Sequence, residues 1–135
     1  MAAPQRGATP DGYPRKTINV PVDASSVSCY VEQLDPNGPD YELVSIEANY
    51  DVTSTSGVAK LYNCAAGNAP ASGTIMTTTA GVDLAGTART KVVGAVNATE
   101  GNRKIPAGNA LGLGLTGTMT GLVGGVITIT LKPVS

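Results

Sequence analysis

The amino-acid sequence predicts an all-β fold, a single β-sandwich of jelly-roll type with about eight strands. Apolar and polar residues alternate in short segments, and clusters of Gly, Pro, Asn and Asp separate these segments at intervals of about 8 to 15 residues. No segment has a convincing helical period of apolar residues. Because the chain has no Phe or Trp, its core must be built mainly from aliphatic side chains, and the β-branched ones among them favour strands.

The length of 135 residues allows one hydrophobic core, and we expect one β-sandwich domain over residues 17–135. Residues 1–16 carry several prolines and glycines without helical or strand period, so they are expected to form an irregular N-terminal arm. Such a segment is either a tail without contacts or an arm that becomes ordered on a neighbouring molecule. In the second case the contacts are expected from the following side chains: Arg6, Tyr13, Arg15 and Lys16.

Two short strands are predicted before the first strong turn. In "TINVPVD", residues 17–23, one face is apolar, and Pro21 restricts this strand to a sheet edge or to the start of a sheet. The segment "VSCYVEQL", residues 27–34, alternates in the same way. The turn "DPNGPD" follows, in which proline fixes φ and Asn-Gly accepts positive φ.

The next two strands are expected to supply much of the core. In "YELVSIEANY", residues 41–50, strict alternation predicts one buried face. That face carries Val44, Ile46, Ala48 and Tyr50. In "VAKLYNC", residues 58–64, the pattern is mixed and leaves the inward face open, and a helix is the competing interpretation of this segment.

The second half of the chain is rich in Thr and Gly. Residues 73–96 predict two or three short strands, because glycine interrupts the alternation. The loop "NATEGNR" leads to "KIPAGNALGLGL", and a Gly-rich loop then leads to the last strand, "VITITLKP". In this strand Ile127, Ile129 and Leu131 are expected to point inward, and Pro133 is expected to end it.

Gly112, Gly114 and Gly117 have the spacing GxGxxG. This spacing binds a dinucleotide when a helix follows it and an acidic residue stands about 20 positions later. Neither condition is met, since no helical pattern follows and the chain has no Asp or Glu after Gly117, so we predict no cofactor. Leucines alternate with the first two glycines, and in a strand the bare glycine face would let a backbone or a packed layer approach closely. Gly117 is expected to help the following loop reverse direction.

Composition argues against several functional classes. Lys and Arg total 9 against 10 Asp and Glu, a net charge of −1, which leaves no reserve for neutralising nucleic-acid phosphates. The chain has no His, the side chain best suited to proton transfer near neutral pH and the commonest metal ligand. No carboxylates have a spacing that requires a catalytic pair. We therefore expect a protein that is not an enzyme and has no catalytic or metal-binding residues.

Cys29 and Cys64 are expected to be free and buried, because two cysteines in a chain without an export signal are more often reduced; a disulfide is the alternative. No apolar run reaches the length of a membrane-spanning helix, and the N-terminus has no secretory core. We therefore expect synthesis in a cytoplasm and no membrane partner.

Two parts of the chain carry a resemblance to a known group of proteins. One is residues 18–64, from "INVPVDASS" to "KLYNC"; the other is residues 103–134, where a Pro-x-Gly turn precedes alternating leucines and a Thr-alternating strand ends the domain. With these segments, residues 17–134 resemble small jelly-roll structural proteins of tailed bacteriophages. The size and the N-terminal arm are most similar to those of capsid decoration, or cement, proteins.

This resemblance implies a homotrimer on the capsid exterior of the virion. There it would bridge neighbouring major capsid proteins and stabilise the head, after synthesis in the host cytoplasm. Close approach of subunits around a symmetry axis would then be one reason for the bare glycine face. The alternative is a receptor- or glycan-binding head-fibre or tail-associated module, whose sugar-stacking side chains could only be tyrosines.

Overall fold

The computed structural model of the protein describes residues 14–134. These residues form ten β-strands and one short 3₁₀ helix, η1 (Glu100–Arg103), and they contain no helix that could cross a membrane. The strands are β1 (Lys16–Val22), β2 (Cys29–Gln33), β3 (Asp40–Asn49), β4 (Val58–Cys64), β5 (Thr74–Ile75), β6 (Val82–Asp83), β7 (Val92–Val93), β8 (Lys104–Ile105), β9 (Ala110–Thr116) and β10 (Gly125–Val134).

The strands form two antiparallel sheets. Sheet A has the order β1-β10-β3-β7, with β8 also on β3, and sheet B has the order β2-β9-β4-β5, with β6 also on β4. Since β7 and β8 share one side of β3, and β5 and β6 share one side of β4, each sheet has four strand positions. The chain changes sheet at each of the first three connections and again on entering β7, β9 and β10, which gives the double-sheet arrangement of a jelly roll. The predicted β-sandwich is confirmed.

The hydrophobic core lies between the two sheets. The alternation of β10 puts Ile127, Ile129 and Leu131 fully inside, as predicted. In sheet B, β4 is a strand and not the helix that was the alternative for this segment. Its inward side carries Ala59 and Leu61, which answers the question of the inward face that the sequence left open. Full burial of a Leu or Ile side chain contributes about 1.5–3 kcal/mol, so these alternating rows contribute a large part of the stability of the sandwich.

The prediction that Val44 faces the core is wrong. Thr130 of β10 pairs with Ser45, but the next residue, Leu131, pairs with Leu43, so Val44 is an extra residue in β3. Such a β-bulge shifts the side-chain alternation by one residue. Leu43 is therefore buried and Val44 is exposed, whereas Ile46, on the other side of the bulge, is buried as predicted.

The expected end of the last strand at Pro133 is also wrong. β10 continues to Val134, and Pro133 pairs with Tyr41 of β3. The pairing of β1 with β10 stops at Leu131, so beyond this point β10 has no β1 residue opposite it within residues 14–134. A proline that lacks an N–H is tolerated where its nitrogen can face such an open side.

Tyr50 connects the end of β3 to the loop after β6. Its hydroxyl is buried, donates to the carbonyl of Asp83 (3.1 Å) and accepts from the N–H of Gly86 (2.8 Å). Burial raises the pKa of this phenol. At a pH below the ordinary pKa of tyrosine, near 10, this difference in pKa contributes to the stability of the fold. The contribution is lost as the pH rises through the pKa of Tyr50 in the folded protein.

Tyr50→Phe is expected to lower the free energy of unfolding by about 1–3 kcal/mol, because the N–H of Gly86 loses its acceptor. Urea denaturation of the variant measures this change. Tyr30→Phe is the matched control: Tyr30 is exposed, and the expected change is within about 0.5 kcal/mol. Equal stabilities of the two variants would contradict the role given to Tyr50.

Candidate protein-binding surfaces

The glycines of the GxGxxG spacing pack against the chain itself. Gly112 and Gly114 lie in β9, and a loop that we call the strap, residues 65–73, covers their bare face. A Cβ on Gly112 would overlap the carbonyl group of Pro70, and a Cβ on Gly114 would lie 2.7 Å from Cε1 of Tyr62. The thiol of Cys64 donates to the same Pro70 carbonyl (3.0 Å), so β4 holds the strap in place.

This packing replaces the interpretation that subunits approach each other at the glycine face. The backbone that comes close to β9 belongs to the strap, and Gly112 and Gly114 are both buried within one chain. Gly117 follows β9 with φ of +76°, where glycine is favoured, and a Cβ there would overlap the Ser56 carbonyl. The three glycines therefore have packing and turn roles, and Pro70 occupies the space beside Gly112.

Two of the four residues proposed for the arm lie in the described part of the chain. Arg6 and Tyr13 lie outside the described residues. Arg15 is exposed and directly precedes β1. Lys16, placed in the arm by the sequence, is the first residue of β1, and its Nζ lies 2.8 Å from Oε2 of Glu32 in β2.

Lys16 connects the edges of the two sheets. β1 is an edge strand of sheet A and β2 is an edge strand of sheet B, so the ion pair of Lys16 with Glu32 bridges the open side of the sandwich. The ammonium also lies 5.9 Å from the ring centroid of Tyr41, within the range of a cation–π interaction. A surface depression of about 340 Å³ lies here, and Asp35 and Gly38 of the turn after β2 also line it. The N-terminal segment therefore joins the body at the rim of the sandwich.

The opposite end of the sandwich presents apolar side chains. Three loops cross between the sheets there, residues 23–28, 50–57 and 117–124, and the strand orders place the third loop between the other two. Each loop exposes one valine, and we call this surface the valine end. Its members, with their exposed fractions, are Val27 (74%), Val52 (45%) and Val123 (53%). Val52 and Val123 are neighbours, since each donates its N–H to the carbonyl of the other (3.2 Å).

A charged residue with a strained backbone conformation borders the valine end. Arg89 has φ of 58°, an uncommon value for a residue other than glycine, and its N–H donates to the carbonyl of Tyr50 (2.7 Å). Its side chain is well exposed, with Nε 3.9 Å from Oδ1 of Asp51, the residue next to Val52. The valine end thus combines exposed valines with the charges of Arg89 and Asp51, and such a mixture is found in protein contact surfaces.

Neither cysteine forms a disulfide. Cys64 is buried under the strap, and Cys29 is half-buried against the core; both are free, as expected. Burial raises the pKa of the Cys29 thiol, which lowers the fraction of reactive thiolate. Within residues 14–134, no three Cys, Asp or Glu side chains come together in a way that could hold a metal ion.

The tyrosines bear on the alternative of a glycan-binding module. Tyr41 and Tyr50 are buried, and the ring of Tyr62 packs next to Gly114. Among the described tyrosines, Tyr30 alone is well exposed, and it lines neither the depression beside Lys16 nor a second one on sheet A. The second depression, about 350 Å³ on the outer face of sheet A, is lined by aliphatic and polar side chains that include Val126 and an ion pair of Lys91 with Glu47 (3.6 Å).

Comparison of the chain with protein-family models, with curated proteins and with solved structures found no match. The sequence pattern gave no signal for the valine end, because Val27 was expected to continue the alternation of a strand and Val52 and Val123 fell in loops.

Proposed function

We propose that the protein is a structural virion component that binds the outside of a phage capsid, across junctions between major capsid proteins, and stabilises the head. The sequence resemblance supplies the capsid as the partner. The geometry supports a more general statement, namely that the β-sandwich binds other proteins through its surface.

The observation that carries the proposal is the valine end. Exposed valines are unremarkable one at a time, but three neighbouring loops each present one at the same end of the sandwich. Burial of apolar surface drives protein association, and the charges of Arg89 and Asp51 beside the valines can orient the partner. We propose this end as the surface of the body that faces the capsid.

The N-terminal segment provides a second contact in this proposal. It joins the body beside the ion pair of Lys16 with Glu32, at the end opposite the valine end, so in this proposal it extends along the body to reach a capsid subunit beside it. Arg6, Tyr13 and Arg15 are the side chains proposed to make this contact. A protein with two contacts, one on the body and one on the arm, can bind two neighbouring capsid subunits at once and thereby bridge their junction.

The glycan-binding alternative has less support. Sugar recognition commonly uses the flat face of an exposed aromatic ring together with polar side chains in one depression. Tyr30 is exposed outside both depressions, and the depression at Lys91 and Glu47 is lined by no aromatic residue. Tyr41 lines the other depression, but it is buried and its ring lies next to the Lys16 ammonium. The exposed apolar side chains at the valine end fit a protein partner better than a sugar.

The test is rebinding of the purified protein to capsids that have been stripped of their surface proteins. The double variant Val27→Asp with Val123→Asp is expected to bind at least about tenfold more weakly, because two carboxylates would have to be desolvated in the contact. Cosedimentation with the capsids, over a range of protein concentrations, measures the affinity.

Val44→Asp with Val93→Asp is the matched control, since both valines are exposed on sheet A and neither lies in the three loops of the valine end. It introduces the same number of charges and is expected to bind like the unmodified protein. Capsid binding that is unchanged in the Val27/Val123 variant, or equally weakened in the control, would contradict the assignment of the valine end. Absence of capsid binding by the unmodified protein, with a hit on a glycan array, would favour the alternative function.

A further inference from the structure

β1 is the most regular free edge in the described part of the chain. Its seven residues pair with β10 without a break in register, and within residues 14–134 no strand pairs with its other side. The other edges are less suited to pairing. β2 has five residues and a bulge at Val31, and the far edges of both sheets consist of two-residue strands. A long, regular edge is a ready site for another strand.

The position of Pro21 indicates which backbone groups face the free edge. Proline is tolerated in an edge strand where its nitrogen points away from the neighbouring strand. The backbone alternates with a period of two, so the N–H and C=O groups of Thr17 and Asn19 point to the same free side as Pro21. This edge therefore offers two donors and three acceptors that the sandwich itself does not use.

The sequence of β1 is complementary to itself in an antiparallel pair centred on Asn19. In this register Asn19 pairs with Asn19 of the second copy, and Thr17 pairs with Pro21. Two N–H groups of Asn19 and two of Thr17 then find carbonyl acceptors, while the two Pro21 residues donate none. On the inner face, Ile18 lies opposite Val20 of the other copy. Both side chains are only half-buried in a single chain, and this contact buries them further.

The charges next to β1 fit the same register. In this register Arg15 of one copy lies opposite Asp23 of the other, two residues beyond the pair of Thr17 with Pro21. Because the dimer is symmetric, this charged pair forms twice. Arg15 is exposed and takes part in none of the ion pairs formed within residues 14–134. Hydrogen bonds from the side chain and backbone of Ser25 lower the pKa of Asp23, so its carboxylate is charged at neutral pH.

We propose that β1 is a self-association edge, which pairs antiparallel with β1 of a second copy about Asn19 and joins the two A sheets into one. The contact is isologous and forms a twofold dimer. It differs from the homotrimer that the sequence resemblance implies, and it does not depend on the proposed binding to capsids.

The test is the mass of the full-length protein in solution, by light scattering and by sedimentation over a range of concentrations. Twice the chain mass of 13.5 kDa is expected at high concentration. Asn19→Pro is expected to abolish the dimer, because it removes both central donors, while the pairing of β1 with β10 keeps its hydrogen bonds. Asn19→Ala, which keeps the N–H but loses the side chain that accepts from Thr128, is the matched control and should remain dimeric.

A charge variant outside the strand makes the test independent of any damage to β1. Arg15→Asp is expected to raise the dimer dissociation constant about tenfold, since two attractive pairs become repulsive. Lys91→Asp makes the same change of charge next to β7, at the opposite edge of sheet A from β1, and should leave the constant unchanged. A monomer at all concentrations, a trimer, or a folded Asn19→Pro variant that still forms dimers would overturn the proposal.

Discussion

Gly112→Val is expected to lower the free energy of unfolding by at least about 3 kcal/mol, or to prevent folding altogether. The new Cβ would overlap the carbonyl group of Pro70, with the carbonyl carbon and Cα of Pro70 directly behind it. Neither partner is the flexible end of a side chain. β9 lies between β2 and β4, so it cannot move away, and the strap must leave the sheet and give up the hydrogen bond from Cys64. Urea denaturation, or the soluble yield if the variant does not fold, measures the loss.

Two glycines provide the comparison. A Cβ on Gly114 meets mainly the ring of Tyr62, a side chain that can move, so Gly114→Val is expected to cost less than Gly112→Val. Gly101, in η1, has open space where its Cβ would lie, and Gly101→Val is expected to change the stability little. The expected order of destabilisation is Gly112, then Gly114, then Gly101. A Gly112→Val protein as stable as Gly101→Val would show that the strap does not pack on β9 as described.

Regular strands were predictable because side-chain burial alternates with a period of two. In β10, every second residue from Ile127 to Leu131 is buried, and the sequence shows the same alternation. The bulge at Val44 was not predictable, because it arises where β10 pairs with β3, and these strands are far apart in the chain. One extra residue reverses the face of every side chain beyond it, so Leu43 was assigned to the wrong side.

The sequence shows that Gly112 and Gly114 leave one face of a strand without side chains. It does not show which part of the protein packs against that face. Alternation of Leu with Gly predicts that something approaches closely, and both a second subunit and a packed layer of the same chain satisfy that pattern. Pro70 lies about 40 residues away from the glycines in a segment that the sequence identifies only as a loop. The valine end poses the same difficulty, since its three loops become neighbours only when the strand order is known.

Removal of residues 1–13 is expected to weaken capsid binding by about 10² to 10⁴-fold, if the proposed capsid function holds. When two linked contacts bind one surface, the second forms at a high effective concentration, and its loss removes that gain. A segment of 13 residues can reach at most about 45 Å from the body, enough to contact a neighbouring subunit. The truncation leaves Arg15 and the ion pair of Lys16 with Glu32 in place, so the free energy of unfolding should stay unchanged.

Two further variants, and the oligomeric state of the truncated protein, separate the arm from the other surfaces. Arg6→Glu with Tyr13→Ala in the full-length chain should reproduce much of the loss if these side chains make the contact. The Val27/Val123 variant combined with the truncation should bind capsids more weakly than either change alone. The truncation removes the gain from two linked contacts, and the two aspartates weaken the one contact that remains. The truncated protein should still form dimers, with twice the mass of the shortened chain, because Arg15 and β1 remain. A truncated protein that binds capsids with full affinity would remove the arm from the mechanism and leave the valine end as the contact.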